Sequence, residues 1–326
     1  MPEPRHLLGL QGVSAAELRV LLRAASAMGG AGDRTRTLAG RIVANLFFED
    51  STRTRTSFSI AAKRLGAEVV DLLGSTSSVN KGETLADTAR VVEAMGVDAI
   101  VVRARQAGAA HVVARAVGVP VINAGDGRHE HPTQGLLDIH VLAAAHGRME
   151  TFDLTGLRVA IVGDVISSRV ARSAIAGMTA LGAEVVCVGP PAFAPRTLGS
   201  LGVGGVGVGV SHDLGAVLPE VDAVMLLRIQ FERHGEGEGP GAPGGVGVVK
   251  GGAMIASVRE YRARYALTAE RARGMKPGAI VMHPGPINRG IELDAEVADG
   301  PRSVILRQVA AGVAVRMGVL GWVLGG

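Results

Sequence analysis

Short β-branched runs alternate along this chain with stretches rich in Ala, Leu and Arg. The runs at 41–48, 68–72, 99–102, 119–123, 158–163, 184–188, 223–227 and 279–282 read as strands. The stretches between them have helical composition, and this βαβ rhythm predicts parallel sheets covered by helices. A turn feeding a fresh apolar run recurs at 154–164, after the helical segment 133–146, which puts a domain boundary near residue 150. The fold class is therefore α/β, with two doubly wound domains, each built on a central, mostly parallel sheet. Two stretches resist this reading. Residues 199–210, rich in Gly and Val, fit a plain βα connection or a degenerate strand. Residues 235–252, rich in Gly with two prolines, read as a mobile loop beside a site, because glycine loses so much backbone entropy on ordering.

Composition narrows the function classes. At 326 residues the chain is too long for one ordinary core, and two lobes invite a site between them. Hydrophobic residues make up 47%, yet aromatics only 3% and glycines number 47, so dense packing of small side chains is expected. The pI near 9.7 comes from a net charge of only +4. Scattered arginines, no basic tract and few aromatic stacking platforms argue against nucleic acid. Cys187 cannot form an internal disulfide and sits in the apolar run 183–188, which fits a buried strand in a reducing compartment. The N-terminal Met1-Pro2-Glu3-Pro4-Arg5-His6 lacks a basic segment followed by a long apolar core, and no apolar stretch runs uninterrupted to membrane length. A cytoplasmic protein with no membrane contact is the expectation.

Candidate chemistry gathers after the strands. Glu49-Asp50-Ser51-Thr52-Arg53-Thr54-Arg55-Thr56-Ser57-Phe58 follows the first run, and its Asp and Ser positions can cap a helix whose buried face carries Phe58, Ala61, Ala62 and Leu65. Surface arginines on a capped helix are the plainer reading; hydroxyls interleaved with arginines at a helix start favour an anion site instead. Asn123-Ala124-Gly125-Asp126-Gly127 leads to His131-Pro132-Thr133-Gln134, with Pro132 in a first helical turn and His131 and Gln134 three apart. By itself His131 is equally a cap or a functional group. Arg103 ends the third run, where open α/β sheets place ligands, but a solvated strand-end arginine would look the same. Residues 75–88 make a polar loop bearing Lys81. Gly163-Asp164 through Ser167-Ser168-Arg169-Val170-Ala171-Arg172-Ser173 follows a strand without the G-x-G-x-x-G of a nucleotide-binding turn. Arg228 and Gln230 project to one side if that backbone is extended. His283-Pro284-Gly285-Pro286 could be only a rigid turn.

Together these segments, spread over residues 45 to 290, resemble the aspartate and ornithine carbamoyltransferases. Residues 48–58 look like the family's Ser-Thr-Arg-Thr-Arg signature, 131–134 its His-Pro-x-Gln motif, and 75–88 its lysine-bearing loop. Residues 163–173 resemble its Ser-Arg-Val-Ala-Arg-Ser element, with Ala174 where asparagine is usual, and 228–230 its Arg-x-Gln segment. The resemblance implies that Ser51, Thr52, Arg53, Thr54, Arg103, His131, Gln134 and the backbone at Gly285 and Pro286 hold carbamoyl phosphate, with His131 on its carbonyl oxygen and Gln134 on its carbamoyl nitrogen. It places Ser77, in a register uncertain against Ser78, in the same set. Thr54, Arg103 and His131 would be catalytic, while Lys81, Arg169, Arg228 and Gln230 would bind aspartate. His283 would be structural.

The same resemblance implies residues 1–148 as the carbamoyl phosphate domain, with a helix from 289–326 packed back on it, and 149–288 as the aspartate domain. Ornithine enzymes of the family carry His-Cys-Leu-Pro where this chain has His283-Pro284-Gly285-Pro286, which favours L-aspartate as acceptor. The implied reaction gives N-carbamoyl-L-aspartate and phosphate, the second step of pyrimidine synthesis, with no metal and no cofactor. The implied assembly is a homotrimer with sites shared across subunits, to which a regulatory chain or a dihydroorotase could attach. Another amino-acid acceptor, or a non-catalytic assembly subunit of the same fold, are the alternative readings. A dehydrogenase would suit the sheet pattern but explains none of the motifs.

Overall fold

The apolar runs become strands buried on both faces, as parallel sheets under two helical layers require. The computed structural model describes residues 4–29, 35–73, 83–229 and 257–325. The first sheet contains β1 (Ile42–Phe47), β2 (Glu68–Leu73), β3 (Ala99–Ala104) and β4 (Val121–Asp126) in the order β2-β1-β3-β4. The second contains β5 (Arg158–Val162), β6 (Glu184–Val188), β7 (Val208–Ser211), β8 (Ala223–Leu226) and β9 (Ile280–Met282) in the order β7-β6-β5-β8-β9. Every strand pairing within them is parallel.

Helices α1 (Ala15–Ala27), α2 (Thr52–Arg64), α3 (Leu85–Ala94), α4 (Ala109–Ala116) and α5 (Pro132–Ala145) belong to the first half. They are followed by α6 (Arg169–Ala180), α7 (Leu214–Val217), α8 (Val258–Tyr265), α9 (Ala269–Arg273), α10 (Ala295–Ala298) and α11 (Ile305–Leu324). Local signals start several of them. Ser14 and Glu17 form a reciprocal capping box on α1, and Ser168 accepts from Ala171 N at 3.1 Å on α6.

In each sheet the order of connections reverses once, between β1 and β3 and between β5 and β8. Loops leaving the two strands at such a point diverge and open a crevice beyond their C-terminal ends. Both crevices face one cleft.

Helix α5 is apolar nearly all round because it is covered all round, by β4, α1, α6 and α11. Its Leu136, Leu137, Ile139, Val141 and Leu142 are buried, each worth roughly 2 kcal/mol in transfer from water. Through α5 and α6 one core runs continuously between the two halves. Helix α11 is long and apolar enough to span a membrane by those measures alone, but α1, α2 and α5 pack on it and it buries Gln308 and Arg316.

Two differences from the sequence reading, and the choice between its two readings of residues 199–210, have simple causes. Arg103 lies inside β3 rather than past its end, because Phe48 N donates to Arg103 O at 2.8 Å and prolongs the ladder. Residues 199–210 are in part a degenerate strand: a 3₁₀ turn at Arg196–Leu201 precedes β7, an edge strand paired only with β6 that needs few apolar side chains. Residues 289–304 pack with the second sheet, where Leu293, Val297 and Ala298 join the core of Leu267 and Tyr261, so the return toward the first half begins at Ile305.

Candidate active site

The cleft has a volume of about 1160 Å³. Three helices turn their N-termini to it. The first turn of α2 presents Ser51, Thr52, Arg53 and Thr54; α5 presents His131 and Gln134; α6 presents Ser168 and Arg169. Ser51 was expected to cap α2, yet its hydroxyl makes no cap bond, nor does the His131 ring cap α5. Uncapped helix starts leave N–H groups for a ligand, and their dipoles favour negative charge there.

Side chains reinforce that field. Among the described residues, Arg53, Arg103, Arg105, Arg128, Arg169, Arg228 and Arg316 line the cleft against three carboxylates, Glu49, Asp50 and Asp164. So large a local surplus of positive charge suits small polyanions. Arg53 is accessible from the cleft but flanked by protein, and burial followed by repulsion from Arg228 lowers its proton affinity. A Cβ on Gly285, whose φ is +66°, would collide with Arg53 Nη1, so glycine there lets the 285–286 backbone approach the guanidinium.

Glu49, on the loop after β1, ties the two halves together. Its Oε2 accepts from Arg169 Nη1 at 2.9 Å, and its Oε1 from Arg169 Nη2 at 3.0 Å and Arg103 Nη2 at 3.5 Å. Arg103 also donates to Ala124 O at 3.0 Å. Gly125, at φ +115°, leaves both guanidiniums room: a Cβ would stand 3.0 Å from Arg169 Nε and 3.2 Å from Arg103 Nη1.

His131 is buried, and its pKa is held well below the usual histidine value, first by burial and then by Arg103, Arg316 and Arg169. It is a neutral imidazole at pH 7, able to donate one hydrogen bond without adding charge. Its backbone N donates to Ser173 Oγ at 2.9 Å, and Ser173 in turn donates to Glu130 Oε2 at 2.7 Å. Glu130 also accepts from Leu10 N and Gln11 N, at 2.7 and 3.0 Å, which fixes the loop before α5 to both α6 and the N-terminal segment.

Beneath the cleft floor, Asp138 Oδ1 accepts from Gln134 Nε2 at 2.9 Å and Gln308 Nε2 at 2.8 Å. Gln308 Oε1 accepts from His283 N at 2.9 Å. Burial pushes the Asp138 carboxyl up to about 7, against the pull of those two amides and Arg316. Between about pH 4 and 7 the unfolded chain therefore loses this proton while the folded chain keeps it. The stabilisation present at low pH, at most about 4 kcal/mol, is lost as pH rises through 7. Asp138→Asn should flatten this part of the urea-midpoint profile against pH; a slope equal to the wild type's would contradict the assignment. Arg316 is drawn down to about 10, chiefly by burial, and donates to Ser57 Oγ at 3.0 Å.

Of the residues singled out from sequence, Ser51, Thr52, Arg53, Thr54, Arg103, His131, Gln134, Arg169, Arg228, Gly285 and Pro286 all line this one cleft. Ser77, Lys81, Gln230 and the 235–252 stretch lie outside the described residues. His283 is buried in a brace, accepting from Gly285 N at 2.8 Å through Nδ1 and facing Glu292 through Nε2. Ala174, on the same helix as Arg169, is buried in the core without disturbing that arginine's place at the cleft. Sequence reasoning missed Glu49, Glu130, Asp138, Gln308 and Arg316. For the last three the available signal was polar residues inside apolar helices at repeating intervals: Gln134 and Asp138 are four apart on α5, Gln308 and Arg316 eight apart on α11.

Comparison with known proteins agrees with the motifs. Residues 5–144 match the carbamoyl-P binding domain of aspartate/ornithine carbamoyltransferases, and residues 155–323 match their Asp/Orn binding domain. The aspartate carbamoyltransferase catalytic subunit of Myxococcus xanthus is 52% identical over 317 residues, covering 97% of this chain and 98% of the relative. That of Salinispora arenicola is 48% identical over 326 residues, covering 99% and 98%. Among solved structures, Trypanosoma cruzi aspartate transcarbamoylase with carbamoyl phosphate superposes with a TM-score of 0.81 at 31% identity, covering 98% of this chain and 96% of that one. Ornithine carbamoyltransferase from Pyrococcus furiosus reaches 0.82 at 28% identity, covering 99% and 98%. Overall shape thus does not discriminate the acceptor.

Proposed function

This chain belongs to the aspartate/ornithine carbamoyltransferase family, and from that premise we propose that it transfers the carbamoyl group of carbamoyl phosphate to the α-amine of L-aspartate. The observation that carries this reading is a convergence. The phosphate-type helix start at Ser51–Thr54 with Arg103, His131 and Gln134 from one sheet meets Arg169 and Arg228 from the other across a single cleft. One half suits a phosphate and a carbonyl, the other two carboxylates. The aspartate enzymes' identity of about half over nearly full length favours aspartate over ornithine.

In this reading residues 1–148 and the returning C-terminal helix hold carbamoyl phosphate, with Ser51, Thr52, Arg53, Thr54 and Arg103 on its phosphate and Gly285 and Pro286 beside the carbamoyl group. Residues 149–288 hold aspartate through Arg169, Arg228 and Gln230. The neutral α-amine attacks the carbonyl carbon. Thr54, Arg103 and neutral His131 stabilise the oxyanion as it forms, where donors fixed in a water-poor cleft act most strongly. The carbon–oxygen bond to phosphate then breaks, phosphate leaves with that electron pair toward Arg53 and Arg103, and the amine's surplus proton passes to it. No covalent enzyme intermediate, metal or cofactor enters this sequence.

Ser77 and Lys81 complete the site from a neighbouring subunit of a cytoplasmic homotrimer, with Lys81 reaching aspartate; the family's lysine-bearing loop supports this assignment. A regulatory chain or dihydroorotase bound to the trimer would add control without changing the chemistry.

The test is direct. The purified chain should form N-carbamoyl-L-aspartate from carbamoyl phosphate and L-aspartate, and should form citrulline from L-ornithine at least about a thousandfold more slowly, since an acceptor lacking the second carboxylate leaves Arg228 without its anion. Arg228→Ala should raise the aspartate KM by about tenfold to a hundredfold with a smaller change for carbamoyl phosphate. Equal or faster citrulline formation would overturn the acceptor assignment.

A further inference from the structure

The hydrogen bonds under the cleft floor carry direction as well as energy, and they start from a group that cannot be reversed. A backbone N–H only donates, so Gln308 must turn its carbonyl oxygen to His283 N, at 2.9 Å. Its amide nitrogen is thereby sent to Asp138 Oδ1, at 2.8 Å. The same oxygen receives Gln134 Nε2 at 2.9 Å. Asp138 Oδ2 has no partner. Whether the carboxyl is ionised or keeps a proton on that second oxygen, Oδ1 remains an acceptor for both amides. Gln134 cannot reverse without placing its own oxygen against Asp138 Oδ1 in a fully buried position. The one orientation left turns the Gln134 carbonyl oxygen, an acceptor, to the cleft that this residue lines.

We propose that Asp138 is a positioning residue that locks the Gln134 amide, and so makes the cleft selective for an acyl phosphate bearing an N–H donor on its carbonyl carbon. Carbamoyl phosphate has that donor. Acetyl phosphate, of the same size and charge with a methyl group instead, does not, and it would leave the Gln134 oxygen facing carbon. The inference rests on the carbamoyl-transfer reading, in which Gln134 meets the carbamoyl nitrogen, and adds to it the buried group that fixes which end of that amide the cleft presents.

The measurement is binding of carbamoyl phosphate and acetyl phosphate to the full chain by calorimetry, alongside the turnover assay. Asp138→Ala should weaken carbamoyl phosphate by about tenfold to a hundredfold, the range for a donor left facing a misturned or missing acceptor, and leave acetyl phosphate within about threefold. In a Gln134→Ala background the same change should cost less than about threefold more, because Asp138 acts through Gln134. A merely structural aspartate would weaken both ligands alike and add its loss to that of Gln134→Ala; either result overturns the proposal.

Asp138→Asn guards against an unfolded Ala variant. Gln308, still fixed by His283 N, draws the asparagine's carbonyl oxygen to itself and so to Gln134. Carbamoyl phosphate binding should then stay within about threefold of wild type, and a loss of about tenfold or more overturns the proposal whether or not Asp138→Ala folds. A wild-type chain that makes no N-carbamoyl-L-aspartate overturns the functional reading together with this one. Normal wild-type turnover with an unselective loss in Asp138→Ala overturns this inference alone.

Discussion

Arg53→Ala is expected to lower carbamoyl transfer by about a thousandfold or more, the scale on which removing a charged group from a developing anion acts. Arg53 stands at the start of α2, where the helix dipole, the uncapped N–H groups and the Ser51 and Thr52 hydroxyls meet. Removing it deletes a charge and the flat, forked donor that matches a phosphate edge. Steady-state kinetics with carbamoyl phosphate varied over a wide range is the check, and near-normal turnover would sink the site assignment. Arg53 is accessible to solvent and caps nothing, so the fold should survive, with an unchanged thermal midpoint as control. The shared-site assembly is tested with the same variant. In a threefold assembly, random mixing of Arg53→Ala and Lys81→Ala chains leaves roughly a quarter of the sites with both residues intact, so activity should return on mixing. No recovery would count against sharing across subunits.

The second large effect is expected at Glu49. This carboxylate holds Arg169 on both oxygens and Arg103 on one, and so joins a helix of the second half to a strand of the first. Both guanidiniums are largely buried, with side chains only 8% and 11% exposed. Without Glu49 the positive surplus of the cleft drives them apart, and their positions drift from those a substrate needs. A misplacement of that kind costs on the order of a hundredfold in kcat/KM. Glu49→Ala should show this loss, with most of it in the aspartate KM, because Arg169 loses two hydrogen bonds and Arg103 one long one. Glu49→Gln, which still offers one accepting oxygen, should fall between. Values for Glu49→Ala within about threefold of wild type would mean that the arginines are held by the rest of the cleft.

The motif residues were legible because their chemistry depends on short spacings. Ser51, Thr52, Arg53 and Thr54 sit on one helical turn, and His131 and Gln134 are three apart on another; neighbours along the chain become neighbours in space without any knowledge of the fold. The strands were legible too, since burial on both faces demands unbroken apolar runs. Even the ambiguous 199–210 stretch was half read: an edge strand has one neighbour and asks little of its sequence, so β7 leaves a weak trace.

The residues that went unread have partners far away in the sequence. Glu49 and Arg169 are 120 positions apart, and Asp138 and Gln308 are 170 apart. Nothing in the local pattern distinguishes a carboxylate that will bridge two sheets from one that will face water. Asp138 could be flagged only as an odd polar residue in an apolar helix.

By itself, then, the sequence determined two parallel α/β halves, the helix starts suited to anions and the family to which they belong, because secondary structure and capping are governed by interactions within a few residues. Only the tertiary structure decided that the two switch points face one cleft, that Glu49 clamps two arginines across it, and that Gln308 and Asp138 dictate which end of the Gln134 amide is presented. Those outcomes depend on where α5, α6 and α11 come to rest against each other. That is fixed by long-range packing of apolar faces, which the chain encodes only as a sum over many contacts.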